Sequence, residues 1–182
     1  GENVAKVGDT EYTTLQAAID AASRKATVTL LADTRENVTI STPYVTLDLN
    51  GHTLNGSTGE RKPALTITAR VTVKDSSAAQ TGTIMREDTA ENSGVSSHYV
   101  IDIQGNGWLT FESGTVKNGS GAGGTKGASL VRVGDDDARL RAVEAMWPRA
   151  VSTSPFIIKI LSMLVPALRA SMTALRPSMM PS

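Results

Sequence analysis

The chain has 182 residues, and 18 Lys+Arg balance 18 Asp+Glu, so the net charge is zero. That length suits one domain, and neutrality removes the basic excess expected of a nucleic-acid binder. With no cysteine there is no disulfide framework, thiol nucleophile or zinc–thiolate site; without an apolar run of about 18 residues, no transmembrane segment is expected.

Neutrality conceals two compositions. Residues 1–138 hold 12 basic and 17 acidic residues, a net of −5, and residues 139–182 hold six and one, a net of +5. All 16 glycines lie at or before Gly134, whereas five of six methionines and five of seven prolines follow residue 138. The shift predicts three parts: an opening strand and capping helix (1–25), a strand ladder (26–138) and an atypical basic, Met- and Pro-rich tail (139–182).

In chain order, the first element is a short helix. Leu15, Ala18, Ile19 and Ala22 recur at i, i+3, i+4 and i+7, one face of a helix, with Thr13 or Thr14 as N-cap. Alternating segments follow: Val28–Leu30, Val38–Ile40, Val45–Leu49, Leu65–Ile67, Val71–Val73, Ile101–Ile103, Leu109–Phe111 and Val131–Val133. Period-two alternation of β-branched and polar residues predicts half-buried strands. Asn50-Gly51, Asn55-Gly56, Gly105-Asn106-Gly107 and Asn118-Gly119 supply the corners between them.

The segments repeat in blocks. Leu65–Ile67, Val71–Asp75 and Gly82–Ile84 make one; Ile101–Ile103, Leu109–Glu112 and Gly114–Val116 make the next; Val131–Val133 opens a third. Three short strands per block predict an all-β chain wound as a parallel β-helix, a solenoid. A β-sandwich of the same strands is the competing arrangement, though its turns recur more closely.

The stretches Val4–Tyr12, Leu15–Ala22, Val28–Leu31 and Val45–Leu54 resemble the N-terminal part of bacterial cell-surface proteins of the pectate-lyase-like superfamily, which are right-handed parallel β-helices. The resemblance covers residues 4–133. It implies an extracellular or cell-wall-associated location, although the chain carries neither a signal peptide nor a Leu-Pro-x-Thr-Gly sorting motif. The fold hosts lyases, hydrolases, tailspikes and adhesins, so it does not itself assign a function.

The tail breaks the pattern. Ser154-Pro155 before Phe156–Val165 reads as N-cap and first helical position, with Pro166 ending the helix. Such a helix would suit a membrane surface or a partner. The abrupt loss of Gly and Asp favours a different origin, an out-of-frame read-out of a longer β-helix gene, with the ladder ending near Val133. The last coil would then lack a cap of its own, so that either Phe156–Val165 folds back on it or that segment is disordered and the coil is open to self-association.

Candidate sites are sparse. Asp48, Thr66, Asp102 and Arg132 each sit between apolar strand residues, so each points outward. Stacked in register they form one column, with acids about 5–10 Å apart, within the range of glycosidase carboxylate pairs. The plainer reading is a solvated face. Asp135, Asp136 and Asp137 form a weak Ca²⁺ candidate without the spaced EF-hand pattern. His52 is a corner residue. Trp108, His98 and Tyr99 are the aromatic and imidazole groups available to stack on sugar rings.

These readings predict a non-catalytic surface module for structural display or adhesion, directed at glycans or host surface components, with no cofactor and no nucleic-acid partner. The competing prediction is a fragment of a polysaccharide lyase or glycosidase using Asp48, Asp102 and Arg132.

Overall fold

A computed structural model describes residues 1–87, 99–118, 130–145, 151–154, 157–160 and 167–172. Among the described residues the chain is all-β apart from one short helix. The first strands are β1 (Ala5–Val7) and β2 (Thr10–Tyr12), followed by α1 (Leu15–Ala21). Then come β3 (Thr27–Leu30), β4 (Thr34–Arg35), β5 (Val38–Ile40), β6 (Val45–Asp48), β7 (Thr53–Asn55), β8 (Leu65–Ile67), β9 (Arg70–Lys74), β10 (Thr83–Arg86) and β11 (Ile101–Ile103). The remainder are β12 (Trp108–Phe111), β13 (Gly114–Asn118), β14 (Val131–Val133), β15 (Arg139–Ala145), β16 (Val151–Ser154), β17 (Ile157–Ile160) and β18 (Ala167–Met172).

These strands sort into three sheets by a period of three. β3, β6, β9, β12 and β15 run parallel in an eight-stranded sheet, β4, β7, β10 and β13 in a six-stranded one, and β5, β8, β11 and β14 in a four-stranded one. Parallel pairing between strands three apart differs from the antiparallel pairing of a sandwich.

The alternation seen in the sequence puts apolar side chains in columns. Val28, Leu47, Val73, Phe111 and Ala142 stack in register across the largest sheet, as do Leu65, Ile101 and Val131 on Val38 in the smallest. Every one of them is buried. Fully burying each Val, Leu or Ile contributes about 1.5–3 kcal/mol, so the columns are the main favourable term holding the strands together.

Corners are fixed by acceptors aimed at the backbone. Asn50 and Gly51 both take positive φ, 46° and 80°. Asp75, buried, accepts from the N–H groups of Gly51 (2.9 Å), Ser77 (3.0 Å) and Gly82 (2.6 Å). A Cβ on Gly82 would lie 2.6 Å from the Asp75 carboxyl carbon, so this approach requires glycine.

The helix lies where the amphipathic pattern places it, with Leu15, Ala18 and Ile19 buried and Thr14 Oγ1 accepting from Ala17 N–H at 3.1 Å. Glu36 adds a second cap, accepting from the N–H groups of Leu15 (2.7 Å) and Gln16 (3.0 Å).

The tail departs from expectation twice. The ladder does not end near Val133: β15 continues it parallel to β12, with Leu140 opposite Leu109, because Leu140 and Ala142 keep the inward alternation past the composition boundary. The residues Ile157–Ile160, expected within a helix, form β17, antiparallel to β13. β16 pairs with β17, and β18 pairs antiparallel with β15. Ile157-Ile158-Lys159-Ile160 is β-branched-rich, and an open sheet edge offers unpaired backbone groups, so strand addition wins over local helix propensity. Among the described residues no helix is long and apolar enough to cross a membrane.

Candidate functional site

The expected four-residue column is only partly formed. Thr66, Asp102 and Arg132 align in consecutive strands of the four-stranded sheet. Asp48 does not join them, because β6 belongs to the eight-stranded sheet, where Asp48 lies opposite Thr29 and Lys74. Its carboxylate turns a corner instead, accepting from the N–H groups of Asn50 (2.9 Å) and Ser76 (3.0 Å).

Nor is Asp102 a solvated acid. Its side chain is 2% exposed and accepts from Arg132 Nε (2.9 Å), Arg132 Nη2 (2.6 Å) and Gln104 Nε2 (2.7 Å). The Arg132 guanidinium lies 4.4 Å from the centre of the Tyr99 ring. Hydrogen bonds to Asp102 raise the Arg132 pKa above its ordinary value, against the opposing effect of partial burial. Bidentate pairing engages both oxygens of Asp102, which leaves the pair suited to clamping β11 to β14 rather than to proton transfer.

The remaining candidates scatter. Asp135, Asp136 and Asp137 are exposed, and among the described residues no group of three or more His, Asp or Glu converges as a metal-binding cluster. Asp135 instead accepts from Gly105 N–H. His52 holds its corner through backbone bonds, donating to Leu49 O (2.8 Å) and accepting from Thr83 N–H (3.0 Å), with Nδ1 3.5 Å from Asp33 Oδ1. A groove of about 310 Å³ nearby is lined by Asp33, Thr34, Arg35, Thr53 and Asn55, with no aromatic ring among the described residues of its lining. His98 lies outside the described residues.

Trp108 occupies a different setting. It opens β12 on the outer face of the eight-stranded sheet and lines a groove of about 290 Å³ with Tyr44, Arg70, Thr72, Thr110 and Arg141. Arg70 lies 4.3 Å from the centre of the indole and Arg141 5.9 Å. Tyr44, the exposed large hydrophobic of the described residues at 44%, carries Arg24 at 4.6 Å over its ring. Its φ of 64° turns the chain just before β6, and its N–H donates to Arg70 O at 2.6 Å.

The sequence reading singled out Trp108 but not Tyr44, Arg70 or Arg141. For Tyr44 and Arg70 the signal was present, whereas Arg141 lies two positions beyond the equivalent residue, Arg139. Tyr44–Leu47, Arg70–Val73, Trp108–Phe111 and Arg139–Ala142 are equivalent four-residue blocks, each with one bulky or charged residue before the inward pair. Their irregular spacing, 26, 38 and 31 residues, hid the equivalence that strand register reveals.

Comparison with family models, curated proteins and solved structures finds no match to this chain.

Proposed function

We propose that the chain is a right-handed parallel β-helix acting as a non-catalytic, surface-displayed module that binds glycans along its outer face. The three-strand period of parallel pairing and the stacked inward columns support the β-helix. The observation that carries the binding reading is the Trp108 groove. A half-exposed indole and an exposed phenol offer flat apolar faces to sugar C–H groups, while Arg70 and Arg141 supply donors for sugar oxygens. The catalytic alternative is not favoured, since its acids stand on different sheets and Asp102 is fully engaged by Arg132 and Gln104.

A glycan array tests the reading, with an assay for reducing ends and unsaturated products run on every binder. The expected result is binding without turnover, lost in Trp108→Ala. Turnover that disappears in Asp102→Asn would restore the enzymatic reading, and binding indifferent to Trp108 would move the site elsewhere.

A further inference from the structure

The groove belongs to a longer row. Tyr44 before β6, Arg70 on β9 and Trp108 on β12 follow one another at successive strand levels of the eight-stranded sheet; Arg24, before β3, lies over the Tyr44 ring, and Arg141 on β15, two positions beyond the Trp108 register, lies 5.9 Å from the indole. Cation and ring therefore alternate along the groove: Arg24, Tyr44, Arg70, Trp108, Arg141. Levels are about 4.8 Å apart, so the two rings are about 10 Å apart, with Arg70 between them and Arg24 and Arg141 on their outer sides. That is close to the length of a disaccharide in an extended chain. Among the described residues, Arg24, Arg70 and Arg141 have no carboxylate within ion-pair distance, and the groove lining holds no acid.

We propose that the row selects a glycan carrying an acidic group on alternate sugars, lying across the strands with its neutral sugars on Tyr44 and Trp108 and its acids on the arginines. This rests on the glycan-binding reading above. The arginines that now cover the rings explain the selectivity. A guanidinium–carboxylate pair is stronger than an exposed guanidinium–ring contact. An acidic chain draws each arginine from the ring to its acid and frees the ring for the next sugar. A neutral chain displaces the arginines without that return. A chain with an acid on every sugar places charge over the rings, where no cation remains.

The test is calorimetric titration of the whole chain with three oligosaccharides of equal length: hyaluronan, acidic on alternate sugars; polygalacturonate, acidic on every sugar; and chitooligosaccharide, neutral. Inorganic polyphosphate serves as a charge control. Hyaluronan is expected to bind about tenfold or more tighter than the other three, and Arg70→Gln to shrink that preference about tenfold. Polygalacturonate, chitooligosaccharide or polyphosphate binding as tightly as hyaluronan overturns the alternation. The glycan reading survives that outcome if Tyr44→Ala and Trp108→Ala still abolish oligosaccharide binding. No oligosaccharide binding, or binding that neither ring variant affects, overturns both. Tyr44 is exposed, so its variant reports on binding even if the Trp108 variant misfolds.

Discussion

The Gln16 side chain is paired with the Thr39 backbone at both ends of its amide: Thr39 N–H donates to Oε1 at 2.8 Å, and Nε2 donates to Thr39 O at 3.1 Å. Thr39 lies in β5, the first strand of the four-stranded sheet. The amide thus occupies the place of a neighbouring strand and closes an edge that would otherwise invite pairing with another chain. Gln16→Ala should cost about 1–2 kcal/mol in urea unfolding. It should also raise concentration-dependent association, which sedimentation would detect. Unchanged stability and association would show that the edge needs no cover.

The helix caps by burial as well as by hydrogen bonding. Ile19 is 2% exposed and packs in the common core. Placing a carboxylate there removes an apolar contact and strands a charge, so Ile19→Asp should destabilise by about 3 kcal/mol or more and promote aggregation. A soluble Ile19→Asp variant with an unchanged melting temperature would remove the helix from the cap.

Arg132 and Asp102 offer a test of the clamp. Arg132→Ala leaves a buried carboxylate without its cation, a loss of about 3–5 kcal/mol. Adding Asp102→Leu removes the orphaned charge and should recover much of that stability. Additive losses in the two single variants and the double variant, read from denaturant curves, would exclude direct coupling of the pair.

How far the sequence carried this fold depends on the range of the forces involved. The helix face Leu15, Ala18, Ile19 and Ala22 and the strand segments were legible because alternation is a local record of burial. The Asn50-Gly51 corner was legible because positive φ is a local demand. Glu36 was not, since it caps a helix about 20 residues away in sequence through side-chain geometry alone. Asp48 and Asp102 share the same strand pattern, and only the sorting of strands into different sheets separates them. Asp102 sits at an outward position by alternation yet is buried, because Arg132 and Gln104 close over it. Alternation reports the direction of a side chain, not what covers it. Part of the tail, Ile157–Ile160, was misread as helix for a related reason. Its apolar run has no strong period, and the open edges of β13 and β15 decide its conformation.

Acid should weaken one specific contact. Glu87 accepts from Arg35 Nη2 at 3.1 Å and Nη1 at 3.3 Å, and from Asn55 Nδ2 at 3.2 Å. The Arg35 hydrogen bond, with lesser help from Asn55 and the Arg35 charge, holds the Glu87 carboxyl below its ordinary value. A depressed folded-state pKa gives stability that is fully present above the unfolded pKa, about 4.3, and lost as pH falls through the folded value. Both side chains are well exposed, 58% and 46%, so solvent screening limits the contribution to less than about 1 kcal/mol. The stability gap between the parent chain and Glu87→Gln should therefore narrow from about pH 6 to about pH 3, and shrink in high salt. A gap that widens on acidification would reverse the assigned sign.

Tail removal separates a structural segment from a passive one. β17 covers β13, and β18 covers β15, each antiparallel to the ladder strand it covers. Truncation after Ala145 keeps β15 and removes both covering strands. The exposed backbone groups of β13 and β15 then form two edges ready to pair with a second chain. The truncated chain should melt at a lower temperature and associate with rising concentration. That result would assign the tail a capping role despite its foreign composition. A truncated chain that stays monomeric with an unchanged melting temperature would deny the tail that role and fit the out-of-frame origin suggested by its loss of Gly and Asp. Any gain in solubility in that case would follow from removing the apolar run 156–165.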